Sequence, residues 1–360
     1  MTRVPAWLAP VVVLALVLPL VACSAEPEPD PDPAPAVSSA PSSARSSESV
    51  PSEAPTSSLT PAPPAPSETP PAVTHRRSLA ALMREDWRAS RIRHGDVIEE
   101  TDTFTRSEVT YRSGDVTVSG VLLRPRGRGP FPGIVLNHGY IDPAIYVTGQ
   151  GLAREQVWLA EAGFAVLHTD YRGHAGSDPA GDLERETRLG YTRDAVHAVL
   201  ALEREPYVDP DRMAMLGRSM GGGVTLNALV VHPGLVEAAV TYASVSSSYL
   251  DNLRHFTVPN RPDAVRAMYA EFGTPRESPG FYAGLSSRTH FDRIDVPVLM
   301  HHGTDDESCP FPWARDTERL LLRAGVDARL EVYPGERHSF VPQWQESIER
   351  TVRFLRRRLG

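Results

Sequence analysis

From Pro132 to the C-terminus, short apolar runs of strand length alternate with longer helical stretches, and this alternation restricts the chain to a mostly parallel sheet with helices on both faces. The runs Gly133 to Leu136, Phe164 to His168, Met213 to Leu216, Ala238 to Tyr242, Val296 to Met300 and Leu330 to Val332 read as buried strands. The last helical stretch, near Trp344 to Leu359, ends in Arg356-Arg357-Arg358, where cations complement the helix dipole. Upstream, β-branched residues around Glu108 to Tyr111 and Val116 to Leu123 flank Ser113-Gly114-Asp115, a hairpin signal. Leu79, Leu82, Met83, Trp87 and Ile92 have the spacing of a short amphipathic helix over Ser78 to Ile92, with Ser78 as a possible N-cap.

That pattern occupies only part of the 360 residues. Arg3 followed by the apolar run Val11 to Leu20 and by Leu20-Val21-Ala22-Cys23 resembles the signal peptide of bacterial lipoproteins, in which the cysteine is acylated and cleavage occurs just before it. The run is too short for a membrane span, which needs about 18 residues, and Pro10 and Pro19 interrupt it. From Ser24 to about Thr74 large apolar residues are almost absent, so burial cannot offset the conformational entropy of ordering the segment. Its prolines favour an extended tether. The expected organisation is a signal peptide over 1–22, a tether over 23–75 and one folded domain over 76–360, anchored outside the cytoplasm through lipid on Cys23. With Cys23 lipidated, Cys309 has no partner for an intrachain disulfide. A net charge of -8 with scattered arginines leaves no basic footprint for nucleic acid.

Gly217-Arg218-Ser219-Met220-Gly221 directly follows one strand and precedes a helical stretch, the setting of a nucleophile elbow in the α/β-hydrolase fold. A serine hydroxyl is too weakly acidic to attack unaided, so an acid and a histidine should follow in that order at later strand ends. His301-His302-Gly303-Thr304-Asp305-Asp306 and Tyr333-Pro334-Gly335-Glu336-Arg337-His338 supply them. Among the 12 histidines, His338 alone lies in the loop after the last strand; His301 and His302 end the acid strand, and His174 follows Phe164 to His168. His338 is therefore the expected base. For the acid, Asp305 and Asp306 both stand in the loop. Two oxyanion donors are expected, the backbone N–H of Met220 and that of Tyr140 in Asn137-His138-Gly139-Tyr140. No zinc or calcium spacing is present, and no metal or other cofactor is expected.

Asn137-His138-Gly139-Tyr140, Asp170-Tyr171-Arg172-Gly173-His174, Gly217 to Gly222, His301-His302-Gly303-Thr304 and His338 together resemble the catalytic domain of the prolyl oligopeptidase family. The likeness is to secreted bacterial members without a propeller, for which the N-terminal region leaves no room. The family pattern, His-Gly-x-x-Asp with a proline four residues on, selects Asp306 through Gly303 and Pro310 and leaves Asp305 as the fallback. The resemblance implies a serine-type peptidase or related acyl hydrolase acting on a small ester or short peptide. Ser-Met-Gly-Gly is shared with dienelactone hydrolases and acetyl esterases, so a carboxylesterase is the alternative; a binding lipoprotein without catalysis is a third reading that the intact Ser, Asp and His set disfavours. The stretch 246–288, with Tyr249, Phe256, Tyr269, Phe272, Phe281 and Tyr282, is expected to form a small helical cap, its aromatics being either an acyl pocket or the cap's own core.

Overall fold

The computed structural model describes residues 69–360. The signal sequence, Cys23 and most of the tether lie outside the described residues. Nine strands form one sheet: β1 (Arg93–Glu100), β2 (Phe104–Ser113), β3 (Val116–Pro125), β4 (Phe131–Asn137), β5 (Ala165–Thr169), β6 (Val208–Arg218), β7 (Ala238–Tyr242), β8 (Val298–Gly303) and β9 (Ala328–Tyr333). Their order is β1-β2-β3-β5-β4-β6-β7-β8-β9. The neighbours from β5 through β9 run parallel, and β1, β2 and β3 add an antiparallel edge.

Strand periodicity assigns side chains to the two faces. Val135, Met213, Met215 and Ala239 enter one apolar core beneath the helices Leu189–Leu202 and Met220–Val231. Ile134, Leu136, Ala214, Leu216 and Val240 enter the other, against Leu159 of the helix Ala153–Glu161 and Ile348, Val352 and Leu355 of the helix Trp344–Leu359. These strands read as continuous apolar runs because both of their faces are covered. The fold is an α/β-hydrolase topology.

Two local expectations are corrected, and one strand is added. The helix expected over Ser78 to Ile92 spans only Leu79–Leu82. Ser78 does cap it, accepting the N–H of Ala81 at 3.2 Å, but the chain beyond Met83 is irregular while Ile92 is still buried. Apolar spacing there records points of attachment to the core, which an irregular segment satisfies as well as a helix. The acid strand begins at Val298 rather than Val296, since Pro297 has no N–H for the ladder, and runs on through His301 and His302. β1 carried no sequence signal at all: its eight residues are exposed, and it is held on the sheet edge by backbone pairing with β2.

Between β7 and β8 the chain leaves the sheet as a helical cap with helices at Tyr249–Asn252, Pro262–Phe272 and Pro279–Ala283. Phe272 and Phe281 stack with centroids 4.2 Å apart, and Phe281 meets Tyr282 edge-on at 5.1 Å. These three are buried, so they are the core of the cap rather than an acyl pocket. Phe256 instead packs toward Trp313.

Candidate active site

Ser219 sits between β6 and the helix Met220–Val231 with φ 55° and ψ -119°, a conformation that favours glycine. The turn closes because its neighbours lack side chains: a Cβ on Gly221 would lie 1.9 Å from the Asn137 carbonyl oxygen, and one on Gly217 would lie 2.1 Å from that of Gly221. Strand, helix and the loop after β4 thereby approach closer than any larger residue allows. Ser219 is partly exposed at the carboxyl end of β6.

Asp306 follows β8 and His338 follows β9. Their loops interlock, since a Cβ on Gly303 would meet the Glu336 carbonyl oxygen at 2.0 Å and Asp305 N–H donates to that oxygen at 3.1 Å. His338 Nδ1 lies 2.9 Å from each carboxylate oxygen of Asp306. Oδ1 of Asp306 also accepts the N–H groups of Ser308 at 2.9 Å and Cys309 at 2.7 Å. The Asp306 side chain is fully buried and that of His338 is partly open, an arrangement in which an anion fixes one ring nitrogen and leaves the other for chemistry. Asp305 is exposed and accepts the Thr304 hydroxyl, 2.9 Å away. The backbone around His338 is pinned by two acids that the sequence did not single out. Glu307 accepts the His338 N–H at 3.2 Å, and buried Glu336 accepts those of Arg337, Val341 and Gln343.

Among the described residues Ser219 Oγ makes no hydrogen bond to His338; the atom within reach is the Cys309 sulfur at 3.9 Å. Cys309, Asp306 and His338 place ligand-capable atoms within 4.8 Å of one another, so the thiol is a second candidate nucleophile and the trio a conceivable metal set. Electrostatics disfavours the first. Burial first and the Asp306 charge second push the Cys309 thiol up to about 12, which keeps it protonated, whereas attack needs the thiolate. His302, behind Asp306 at 3.4 Å, shares the Cys309 carbonyl oxygen at 2.8 Å; burial lowers its pKa and favours the neutral ring.

The loop after β4 carries the other expected groups. A Cβ on Gly139 would lie 3.3 Å from Ser219 Cβ, so the loop runs directly against the serine. His138 anchors it, with Nδ1 2.6 Å from the Gly139 oxygen and its ring between those of Tyr146 and Tyr171. Burial lowers the His138 pKa to about 4, so it is a neutral support. The Tyr140 N–H has no acceptor among the described residues, and Met220 begins its helix, where N–H groups lack an intrahelical acceptor. The Tyr140 side chain is 54% exposed and lies 5.6 Å from the Arg261 guanidinium, outside the core. His301, bonded through its two nitrogens to Tyr333 and Thr351, is a buried structural ring. Together the parts can polarise a hydroxyl and receive negative charge on an oxygen beside it, which is acyl-transfer chemistry.

Comparison with known proteins agrees with that chemistry. The chain is 26% identical over 245 residues to the uncharacterized peptidase YtmA of Bacillus subtilis, covering 68% of this chain and 90% of that protein. It is 26% identical over 239 residues to the esterase YjfP of Escherichia coli, covering 64% and 90%. The solved structure of acetyl xylan esterase 1 from Thermoanaerobacterium shares the fold with a TM-score of 0.58 at 19% identity, covering 76% of this chain and 91% of that one. An acylaminoacyl peptidase bound to a chloromethyl ketone gives 0.59 at 21% identity, but this chain spans only 42% of it. Residues 151–360 match the model of the prolyl oligopeptidase family, and the chain belongs to that family of hydrolases.

Proposed function

We propose that the protein is a serine hydrolase that cleaves ester or amide bonds of small substrates through an acyl-enzyme. Ser219 Oγ attacks the carbonyl carbon while His338 Nε2 takes its proton, and Asp306 stabilises the imidazolium. The carbonyl oxygen gains the displaced electron pair facing the N–H groups of Tyr140 and Met220. Collapse expels the leaving group with the proton returned by His338, and water then repeats the sequence on the acyl-enzyme. The observation that carries the reading is the buried Asp306 carboxylate on His338 Nδ1 at 2.9 Å, at one strand end of a sheet that presents Ser219 in a strained elbow at another. Serine and histidine hydrogen bonds of this kind are often open without substrate and tighten in the reacting complex.

A fluorophosphonate probe should label the wild type and leave Ser219→Ala unlabelled; an unlabelled wild type would favour a binding protein without catalysis. Ester cleavage is the second reading, supported by the esterases of which this chain spans nine-tenths. Paired assays of short-chain nitrophenyl esters against aminoacyl and X-Pro nitroanilides separate it from peptidase activity, because only one class should turn over robustly. The proposed site of action is the outer face of a membrane, through lipid on Cys23. Cys23→Ser should release the protein from the membrane fraction, and retention there would reject the anchor.

A further inference from the structure

The helices Asp182–Thr187 and Leu189–Leu202 are joined at Arg188, whose φ of 60° and ψ of 9° place a large side chain in the left-handed region. The helix that follows is fixed to the sheet end by a buried pair: Arg172 donates to Asp194 through Nη2 at 2.8 Å and through its backbone N–H at 2.8 Å. The backbone at Arg188 is thereby fixed at the start of that helix. Its guanidinium has no hydrogen bond or ion pair among the described residues; the side chain is half-buried, and the protein packed around it lowers its pKa. The carboxylate of Glu186, whose charge reaches it, is already engaged by Arg261 at 2.9 Å and Arg185 at 3.6 Å. Two guanidinium groups therefore pair with that carboxylate, and Arg188 stands near it as a third positive charge.

This excess of positive charge adjoins the nucleophile. Arg188 lines a small cavity with Gly223, Val245, Ser246 and Tyr249. The N–H groups of Gly223 and Val245 donate to the Ser219 carbonyl oxygen at 3.4 and 3.2 Å, so the cavity wall is built onto the elbow itself. From another side the Arg188 charge reaches Cys309, whose sulfur stands 3.9 Å from Ser219 Oγ. Arg261, the second cation of the cluster, lies over Tyr140.

A half-buried guanidinium with no hydrogen-bonding partner of its own among the described residues has its donors free for a ligand, and its planar fork presents paired donors that match a carboxylate. We propose that Arg188, backed by Arg261, binds a carboxylate on the acyl part of the substrate, so that the enzyme prefers anionic acyl groups to neutral ones of the same length. The proposal rests on the serine-hydrolase reading and assigns its substrate class.

The test compares monophenyl glutarate with phenyl pentanoate, whose acyl chains are equally long, by phenol release from the full-length protein. The wild type should show a kcat/KM at least ten-fold higher for the glutarate ester, mainly through a lower KM and diminishing with added salt. Arg188→Met should bring the ratio near one, and Arg188→Lys should restore part of it. Without any variant, free glutarate should inhibit phenyl pentanoate hydrolysis competitively and pentanamide should not. A wild type without preference, a preference that survives Arg188→Met, or equal inhibition by the two compounds would overturn the assignment. Failure of both esters together with an unlabelled Ser219 would overturn the hydrolase reading beneath it, a result distinct from the loss of preference alone.

Discussion

Replacing Ser219 with glycine removes the hydroxyl and also releases the backbone from a conformation that a side chain disfavours. Ser219→Ala removes the same hydroxyl and keeps the strain, so the difference between the two variants isolates it. A residue with a Cβ held at φ 55° and ψ -119° costs about 1 to 3 kcal/mol. Glycine loses about 0.5 to 1 kcal/mol more conformational freedom on folding. The glycine variant should therefore be the more stable by about 1 kcal/mol, within a range of about 0 to 2.5. For a domain of this size that corresponds to roughly 2 °C in melting temperature. Urea unfolding followed by circular dichroism on both variants, with scanning calorimetry alongside, measures the difference. An alanine variant that is more stable than the glycine variant would refute the strain argument, because the geometry would then be one that a side chain adopts freely.

Asp306→Asn should lower kcat by about 10,000-fold with little change in KM, since it removes the anion on His338 Nδ1. Exposed Asp305, whose side chain among the described residues bonds only to Thr304, should tolerate Asn within about two-fold, and the reverse ranking would reassign the acid. Cys309 should resist iodoacetamide at pH 8 in the native protein and react in urea, as judged by mass spectrometry of its peptide, because its thiol is pushed up to about 12; rapid native alkylation would contradict this. Burial depresses His138 to about 4 and His301 to about 3 from an ordinary 6.5, so above pH 6.5 these rings add no pH dependence. Below it the unfolded chain binds protons that the folded state refuses, and the urea midpoint should fall between pH 6.5 and 4; a midpoint that rises over that interval would refute the assignment of neutral buried rings.

The parts of this molecule that announced themselves in the sequence are those where chain order and local chemistry carry the information. The strand-end positions of Ser219, Asp306 and His338 were legible because each follows a buried strand, and buried strands are apolar runs. Gly217, Gly221 and Gly303 were legible as motif members, and the structure supplies the reason: each stands where backbone passes within about 2 Å of a would-be Cβ. β1 was invisible because an edge strand is held by main-chain bonds, which leave no trace in side-chain pattern. The cap was expected, but whether its aromatics formed pocket or core depended on which side chains meet across its helices, a question of tertiary contact.

Arg188 shows why the rest escaped. In the sequence it is one arginine among 37 basic residues, flanked by Thr187 and Leu189, and its spacing from Ser219 carries no motif. What distinguishes it is the lack of a partner among the described residues, and such a lack exists only once the neighbours are in place. Glu186 stands two residues away and would be read as its counter-ion from sequence alone, yet the fold commits that carboxylate to Arg261, 75 positions along the chain. Cys309 illustrates the same limit from the opposite direction. Three residues after Asp306 it looks like an incidental small side chain, whereas folding sets it near both the acid and the serine, where burial favours its protonated form and so supports the proposal of oxygen rather than sulfur as the nucleophile. Strand-end placement thus determines how a carbonyl can be attacked, and the charges left uncompensated around that point determine which acyl group is held there.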